Sequence, residues 1–154
     1  MITKINDSNI KEAAKVYMLS WIESHKEICS NELIERHSLS YMIEFLKDKI
    51  KLGYDLFIYY DNKNPVGMVG INPADEEICL LYVLPEEQDK GFGSKLLEYA
   101  LSKCRNPYIT VLDTNKKAID FYLKRGFVSA EEQEQLSEEK RIFERKYVYQ
   151  NRNM

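Results

Sequence analysis

The chain has few of the residues that mark several classes of protein. Its three cysteines include no C-x-x-C pair, so their spacing supports neither a disulfide framework nor a thiolate zinc site. No apolar run approaches the ~20 residues of a membrane-spanning helix, and the first residues lack the apolar core of a signal peptide. These absences predict a cytoplasmic protein without a metal ion and without a membrane partner. Cys79 and Cys104 stand in apolar runs, where reduced, buried thiols are expected.

An excess of positive charge is also missing. The net charge is -3 and the isoelectric point is about 5.5, so no overall positive field attracts nucleic acid. The chain has 154 residues, of which 44% are hydrophobic and 31% are charged. This composition is typical of a globular protein, and the length predicts a single domain over residues 1–154.

Hydrophobic patterning predicts a mixed α/β fold, with strands in the middle and helices on the faces. Asp7 or Ser8 is expected to cap the first helix, and Gly53 to end the second. The acidic stretch 130–140 is expected to be an exposed loop or a turn of helix. The predicted strands cover residues 1–5, 55–60, 66–71, 78–84, 107–112, 127–129 and 142–149, and the predicted helices cover 9–22, 39–50, 93–103 and 118–124.

A glycine-containing turn lies between a predicted strand and a predicted helix, at residues 88–93. Unpaired backbone N–H groups at a helix start, together with the helix dipole, favour a phosphate anion. Gly91 and Gly93 remove the Cβ atoms that would block close approach, and Lys90 adds a cation. The spacing Q-x-x-G-x-G matches neither the nucleoside-triphosphate loop nor the three-glycine dinucleotide fingerprint.

Two segments together resemble the signatures of the GNAT superfamily, the general acyl-CoA-dependent N-acetyltransferases. Residues 81–93 match the family's strand ending in V-x-P, followed by [R/Q]-x-x-G-x-[G/A]. Residues 115–127 match N-x-x-A-x-x-F-Y-x-x-x-G-F at each fixed position. The resemblance extends to the order of the strands and to Trp21, so it covers nearly the whole chain.

The resemblance implies a mixed, mostly antiparallel sheet of six to seven strands, splayed between the fourth and fifth strands, with helices on both faces. It implies that the strand before the turn splays from its neighbour at a bulge. It also implies acetyl-CoA as the cosubstrate, with pantetheine paired to the free strand edge at Val83. Asn115 is implied as a pantetheine contact. The residues implied in cofactor binding are Leu81, Val83, Gln88, Asp89, Lys90, Gly91, Phe92, Gly93, Ser94, Asn115 and Tyr122.

Acyl transfer to an amine needs a neutral amine, a donor to the oxyanion and a proton for the thiolate. By resemblance, the backbone N–H of Leu81 faces the thioester carbonyl, and Tyr122 is the general acid. Glu77 is the candidate base, acting through water, and Glu76 is the neighbouring alternative. Adjacent strand residues face opposite sides, so only one of the two can point into the cleft.

Several alternatives stay open on the sequence. Tyr122 is also explained as a core aromatic, Glu77 as a solvated residue and Asn115 as a helix cap. Asp89 departs from the family pattern and places an anion beside the expected phosphates. A histidine at a helix end, such as His25, is more often structural than catalytic, and the same holds for His37.

The acceptor is a small-molecule or peptide amine, by resemblance. The regions that line the acceptor side carry Trp21, Tyr41, Glu23, Glu27 and Glu32, and acidic lining suits a cationic amine. Members of this family tend to dimerise through C-terminal strands, so a homodimer is compatible with the resemblance. The alternative functions are a non-catalytic CoA-binding sensor and a protein-binding domain with accidental motifs.

Overall fold

The computed structural model describes residues 1–137 and 142–150. Within these residues, seven strands and five helices follow one another along the chain, with one short 3-10 turn. In chain order they are β1 (Ile2–Lys4), α1 (Ile10–His25), α2 (Asn31–Arg36), α3 (Leu39–Lys51), β2 (Asp55–Asp61), β3 (Asn64–Asn72), β4 (Glu77–Val83), the 3-10 turn (Pro85–Glu87), α4 (Phe92–Leu101), β5 (Tyr108–Leu112), α5 (Lys116–Leu123), β6 (Phe127–Ser137) and β7 (Ile142–Tyr149).

The chain forms two compact units. The first comprises residues 1–74 and 78–103, and the second comprises residues 75–77 and those from 104 onward. Strands β1, β2, β3 and β4 are neighbours in that order in the first unit, and β1, β2 and β3 pair antiparallel. In the second unit, β5, β7 and β6 pair antiparallel, and Glu77 pairs with Tyr108 in parallel register. The mixed, mostly antiparallel sheet predicted from the sequence is therefore present.

Helices cover both faces of the sheet in the first unit. Leu56 and Ile58 of β2 belong to a buried cluster with side chains of α1 and α3. Their neighbours Phe57 and Tyr59 point the other way, because side chains alternate along a strand. Those two rings meet aromatic residues of the α4 segment edge to face, Tyr99 at 4.9 Å and Phe92 at 5.2 Å between ring centroids.

Strand β3 approaches β4 and α4 so closely that position 67 has no room for a side chain. A Cβ atom on Gly67 would lie 2.8 Å from the carbonyl oxygen of Tyr82 and 2.8 Å from Cδ1 of Leu96. Both distances are shorter than a real Cβ contact, and the first is to backbone, which cannot rotate away. The glycine therefore lets β3, β4 and α4 come together immediately before the glycine-containing turn.

The acidic stretch after Ser129 is a strand as far as Ser137, and not the predicted loop or turn of helix. Backbone pairing with β7, such as Gln133 with Arg145 and Gln135 with Phe143, explains the difference. Glutamate has a low intrinsic preference for strands, but pairing with β7 supplies backbone hydrogen bonds that outweigh this preference. The rest of that stretch, residues 138–140, lies outside the described residues.

Three smaller predictions were also wrong. Neither Asp7 nor Ser8 caps α1, because Asn9 is the residue before it, and the Asn9 side chain instead joins Asn6 N–H and the Lys4 carbonyl. Residues 31–36, for which no helix was predicted, form α2, which begins at a Ser30 cap. Cys79 and Cys104 have free thiols as expected, but each is only partly buried.

The close approach at Gly67 gives a stability prediction. We expect Gly67→Ala to lower the free energy of unfolding by about 1–3 kcal/mol, because the added methyl overpacks β3 against a backbone oxygen. Urea unfolding followed by far-UV circular dichroism measures the change.

Gly70→Ala is the matched control on the same strand. Its Cβ would meet side-chain atoms, Cδ2 of Leu56 at 2.7 Å and Sγ of Cys79 at 3.1 Å. Side-chain ends can move, so this variant should lose less stability than Gly67→Ala. A larger loss at position 70 than at position 67 would contradict the interpretation.

Candidate functional site

Strand β4 carries a left-handed residue in its middle. Leu80 has φ +52°, a region that bulky side chains rarely adopt. Leu80 and Tyr82 pack against the α1–α3 cluster, and Cys79 lies on the same side, since its Sγ borders the space beside Gly70 and Leu56. Two consecutive side chains on one side of a strand are the mark of a β-bulge. The bulge that the resemblance implies therefore lies at Leu80.

Beyond the bulge, the side-chain alternation starts again in the opposite phase. Leu80, Tyr82 and Leu84 lie towards α1 and α3, and Cγ2 of Val83 lies beside Gly67 on the α4 side. Leu81 shares that side with Val83, because the two are two positions apart on the strand. The structure thus places both strand residues of the predicted site on one side of β4, immediately before the turn.

The turn itself is built from left-handed residues. Asp89 has φ +64°, and Gly91 has φ +90° and directly precedes the first turn of α4. A Cβ on Gly91 would meet nothing within 4 Å, so the backbone angle rather than lack of space favours glycine there. Left-handed residues before a helix are typical of loops whose backbone N–H groups bind an anion.

Two side chains fix the ends of this turn. The amide Nε2 of Gln88 donates a hydrogen bond to the carbonyl oxygen of Val83 at 3.1 Å, which ties the turn to the end of β4. Lys90 Nζ lies 3.1 Å from Oε2 of Glu87 in the preceding 3-10 turn. The cation predicted for the phosphates thus has a carboxylate partner.

Glu76 and Glu77 have different environments. Glu76 has φ +63°, and its two carboxylate oxygens accept hydrogen bonds from the backbone N–H groups of Arg105, at 2.6 Å, and Asn106, at 3.0 Å. These two donors, Arg105 first, hold the pKa of the Glu76 carboxyl below its usual value. Its carboxylate therefore anchors the loop that follows α4.

Glu77 lies at the parallel pair with Tyr108 and is partly buried. Its backbone N–H donates to Oδ1 of Asp75 at 3.0 Å, and Oδ2 of Asp75 accepts a hydrogen bond from the Tyr108 hydroxyl at 2.7 Å. The Glu77 carboxylate is 3.5 Å from Oγ1 of Thr110 on β5. Of the two glutamates, Glu76 is the one whose two carboxylate oxygens are shown to accept backbone hydrogen bonds.

Asn115 caps α5. Its side-chain oxygen accepts a hydrogen bond from the backbone N–H of Ala118 at 3.2 Å. The oxygen of the amide is used in this way, so the NH2 group is the part that can donate to a ligand. The capping role that the sequence left open is therefore present, and it is compatible with cofactor contact.

Tyr122 lies near the end of α5, and only 9% of its surface is exposed. Its ring packs edge to face against Phe121 and Phe127, at 5.3 and 5.5 Å between centroids. Next to it, the Arg125 guanidinium lies 3.8 Å from the centre of the Phe121 ring and donates to the Phe121 carbonyl oxygen. The phenol is therefore held in a fixed position by packing on its ring.

The predicted site residues are divided between the two units. The first unit contains Leu81, Val83 and residues 88–94, and the second contains Glu77, Asn115 and Tyr122. Sequence reasoning missed Leu80, whose left-handed backbone leaves no trace in an apolar run. It also missed Thr110 beside Glu77, because strand pairing does not appear in a single sequence.

Two further findings concern metals and membranes. Among the described residues, no group of three or more His, Cys, Asp or Glu side chains is placed to hold a metal ion. No helix within residues 1–137 and 142–150 has the length and apolar character needed to cross a bilayer.

Comparison with known proteins identifies the family. The model of the "Acetyltransferase (GNAT) family" matches residues 16–127. The chain is 33% identical over 101 residues to N-alpha-acetyltransferase 50 of Danio rerio, covering 58% of this chain and 60% of that protein. The chain therefore spans about three fifths of the length of this curated relative.

Solved structures share the fold over nearly the whole chain. The PaiA N-acetyltransferase of Thermoplasma acidophilum in complex with coenzyme A is 21% identical, with a TM-score of 0.69 and coverage of 95% of this chain and 96% of that one. YncA of Salmonella typhimurium with its cofactor acetyl-CoA is 16% identical, with a TM-score of 0.73 and coverage of 100% and 95%.

A single-residue mutant of the spermidine N-acetyltransferase SpeG of Vibrio cholerae is 20% identical, with a TM-score of 0.71 and coverage of 97% of this chain and 94% of that one. At these identities the three structures establish the fold, and the family match establishes the relationship. The chain belongs to the GNAT acetyltransferase family.

Proposed function

We propose that the whole chain acts as one N-acetyltransferase domain, which transfers an acetyl group from acetyl-CoA directly to a primary amine. The observation that carries the proposal is the turn at residues 88–93, where left-handed Asp89 and Gly91 lead into α4. In a chain of this family, such a turn fits the pyrophosphate of CoA. Lys90 lies in the same turn and adds positive charge.

The remaining cofactor contacts follow from the bulge in β4. The left-handed backbone at Leu80 turns the next peptide out of the regular strand pattern. The N–H of Leu81 is then available to the thioester carbonyl, and Val83 offers its backbone edge to pantetheine. The amide NH2 of Asn115 is the remaining polar contact.

The reaction forms a C–N bond and breaks a C–S bond. The neutral amine attacks the thioester carbonyl carbon, and the N–H of Leu81 stabilises the oxyanion. Glu77 takes the proton that the amine loses, through a water molecule. Tyr122 gives its proton to the departing thiolate of CoA.

The acceptor is a primary amine of a small molecule or a peptide. Two of the similar proteins are named for amine acetylation, one as an N-alpha-acetyltransferase and one as a spermidine N-acetyltransferase. In this chain, exposed carboxylates lie on α1 (Glu23), in the loop before α2 (Glu27) and on α2 (Glu32). Glu23 and Glu32 form ion pairs with Lys26 and Arg36, so the charge that favours a cationic acceptor comes mainly from Glu27 and is small.

Acetyl-CoA binding is tested first by a thermal melt. At one hundred times the dissociation constant, one specific site adds about 2.7 kcal/mol to stability, which corresponds to an upward shift of very roughly 5–10 °C. Acetyl-CoA and CoA should both produce the shift, and NAD should not. No shift with saturating acetyl-CoA would overturn the cofactor assignment.

Tyr122→Phe tests the general acid. The phenyl ring keeps the packing against Phe121 and Phe127, so the variant should fold and bind acetyl-CoA as the unmodified protein does. Loss of the proton donor should lower kcat by about 10²–10⁴-fold. The rate of CoA release with an amine acceptor measures the effect. An unchanged kcat would remove Tyr122 from the chemistry, and no turnover by either protein would favour the sensor alternative.

Two adjacent glutamates provide a matched pair for the base. Glu77→Gln should lower kcat by about 10²-fold or more while the melting temperature stays near that of the unmodified protein. Glu76→Gln should instead destabilise the folded protein, because the NH2 group of the amide cannot accept one of the two hydrogen bonds from the N–H groups of residues 105 and 106. Its melting temperature should fall while its kcat, measured on folded protein, is retained. Interchanged results would assign the base to Glu76.

A further inference from the structure

The only tryptophan and the only two histidines of the chain lie in one stack. The Trp21 ring, near the end of α1, is 4.2 Å from the His25 ring and 3.7 Å from the His37 ring between centroids, with interplanar angles of 10° and 13°. Two rings cannot occupy one indole face at these separations without overlapping. The imidazoles therefore lie on opposite faces of Trp21.

Nδ1 of each histidine faces a backbone carbonyl oxygen, that of Trp21 at 2.9 Å from His25 and that of Leu33 at 2.8 Å from His37. Nδ1 of His25 is also 2.8 Å from Oγ of Ser24, whose hydroxyl donates to the Trp21 carbonyl oxygen at 3.1 Å and can therefore accept from Nδ1. A carbonyl oxygen only accepts, so each Nδ1 is the donor. Each neutral ring therefore keeps its lone pair on Nε2, and acid adds the second proton there.

The stack joins two parts of the chain that have few other fixed points between them. His25 is the last residue of α1, and His37 follows α2. Helix α2 has six residues and none is buried, so it contributes little apolar burial of its own. Between the two histidines, only the partly buried Cys29 and Ile34 pack against the core cluster.

The charged groups around the stack are exposed or already paired. Glu23 forms an ion pair with Lys26 on α1, and Glu32 pairs with Arg36 on α2. Glu27 and Glu35 are exposed to solvent. On α3, the neutral ring of Tyr41 contacts His37 edge to face at 4.8 Å. These surroundings offer poor compensation for a second positive charge on the stack.

Protonation of one histidine and protonation of both have different effects on the stability of the stack. A single imidazolium over the indole face gains a cation–π attraction. Two imidazolium rings on opposite faces of the same buried indole repel each other, and each loses hydration. Burial first, and the charge of His37 second, lower the pKa of His25, while its hydrogen bond to the Trp21 carbonyl raises it.

The linkage to stability follows from the direction of that shift. The folded state binds the proton of His25 more weakly than the unfolded chain, whose histidines have a pKa of about 6.5. The neutral His25 ring therefore makes its full contribution to the free energy of unfolding above about pH 6.5. This contribution is lost as the pH falls from there towards the lower pKa of His25 in the folded state.

We propose that the His25–Trp21–His37 stack is a proton-sensitive latch that holds the segment 26–38 against the end of α1. The latch is closed while at least one of the two imidazoles is neutral. Protonation of both opens it, which frees Trp21 to contact solvent and releases α2 from α1.

Trp21 itself is the reporter, since no other tryptophan contributes to the emission. In the closed state, 8% of Trp21 is exposed. Quenching of its emission by acrylamide measures exposure separately from direct quenching by an imidazolium ring. From about pH 8 to about pH 5, we expect the acrylamide quenching constant to rise about twofold or more as the stack opens.

The matched control replaces both histidines by phenylalanine. His25→Phe combined with His37→Phe keeps an aromatic ring on each indole face but removes the titration, so its quenching constant should stay low at both pH values. All carboxylates, cysteines and the amino terminus remain in this variant. A rise equal to that of the unmodified protein would therefore assign the effect to other groups and overturn the proposal.

A second variant opens the latch without acid. His37→Gln removes one ring from the stack, so its quenching constant at about pH 8 should approach the acid value of the unmodified protein. If it matches the unmodified protein at both pH values, His37 does not hold Trp21 and the proposal is wrong. A constant or falling quenching constant in the unmodified protein between about pH 8 and pH 5 would overturn it directly.

Discussion

The left-handed backbone at Leu80 is the constraint on which the arrangement around β4 depends. A strand of seven residues would otherwise place Cys79, Leu81 and Val83 on one side and Leu80 and Tyr82 on the other. The bulge reverses this phase halfway along, so that Cys79 joins the α1 side and Leu81 begins a new alternation. Beyond the bulge, side chains that pack on the core can thus alternate with the predicted site residues Leu81 and Val83.

Such a bend has to be supported by its surroundings, since a bulky left-handed residue costs on the order of 1–3 kcal/mol. Support comes from both sides of the strand. The Leu80 and Tyr82 side chains are anchored in the α1–α3 cluster, and Tyr17 packs against Tyr82 at 5.3 Å between ring centroids. On the other side, Gly67 allows β3 to lie directly against the Tyr82 carbonyl group. The strain at one residue is therefore stabilised by close packing at its neighbours.

The sequence predicted local features of the chain better than the course of its backbone. The signatures at residues 81–93 and 115–127 identified the turn, the capping asparagine and the buried phenol, because these features depend on local residue types. The strand at residues 130–137 and the position of the bulge, at Leu80, were missed. Both depend on partners distant in the sequence, β7 in one case and β3 with α1 in the other. Pairing and packing of this kind override local propensity.

The two glutamates illustrate the same limit at the level of single residues. Alternation along a strand predicted that only one of Glu76 and Glu77 would face the site, but not which one. The hydrogen bonds that distinguish the two side chains come from 29 and 30 residues away, where the N–H groups of residues 105 and 106 take up both oxygens of Glu76. Likewise, nothing near His37 in the sequence indicated that its ring would lie on Trp21.

Helix α5 has a consequence for how the phenol of Tyr122 acquires its position during folding. Its eight residues are too few for a stable isolated helix in water. Its ends are held by the Asn115 cap and by Arg125 on the Phe121 ring and carbonyl, and its buried ring rests on Phe127 at the start of β6. The helix should therefore form and melt cooperatively with β6, so that amide protons of both exchange with solvent in one opening event. The phenol therefore has its native orientation only in molecules in which β6 has already formed.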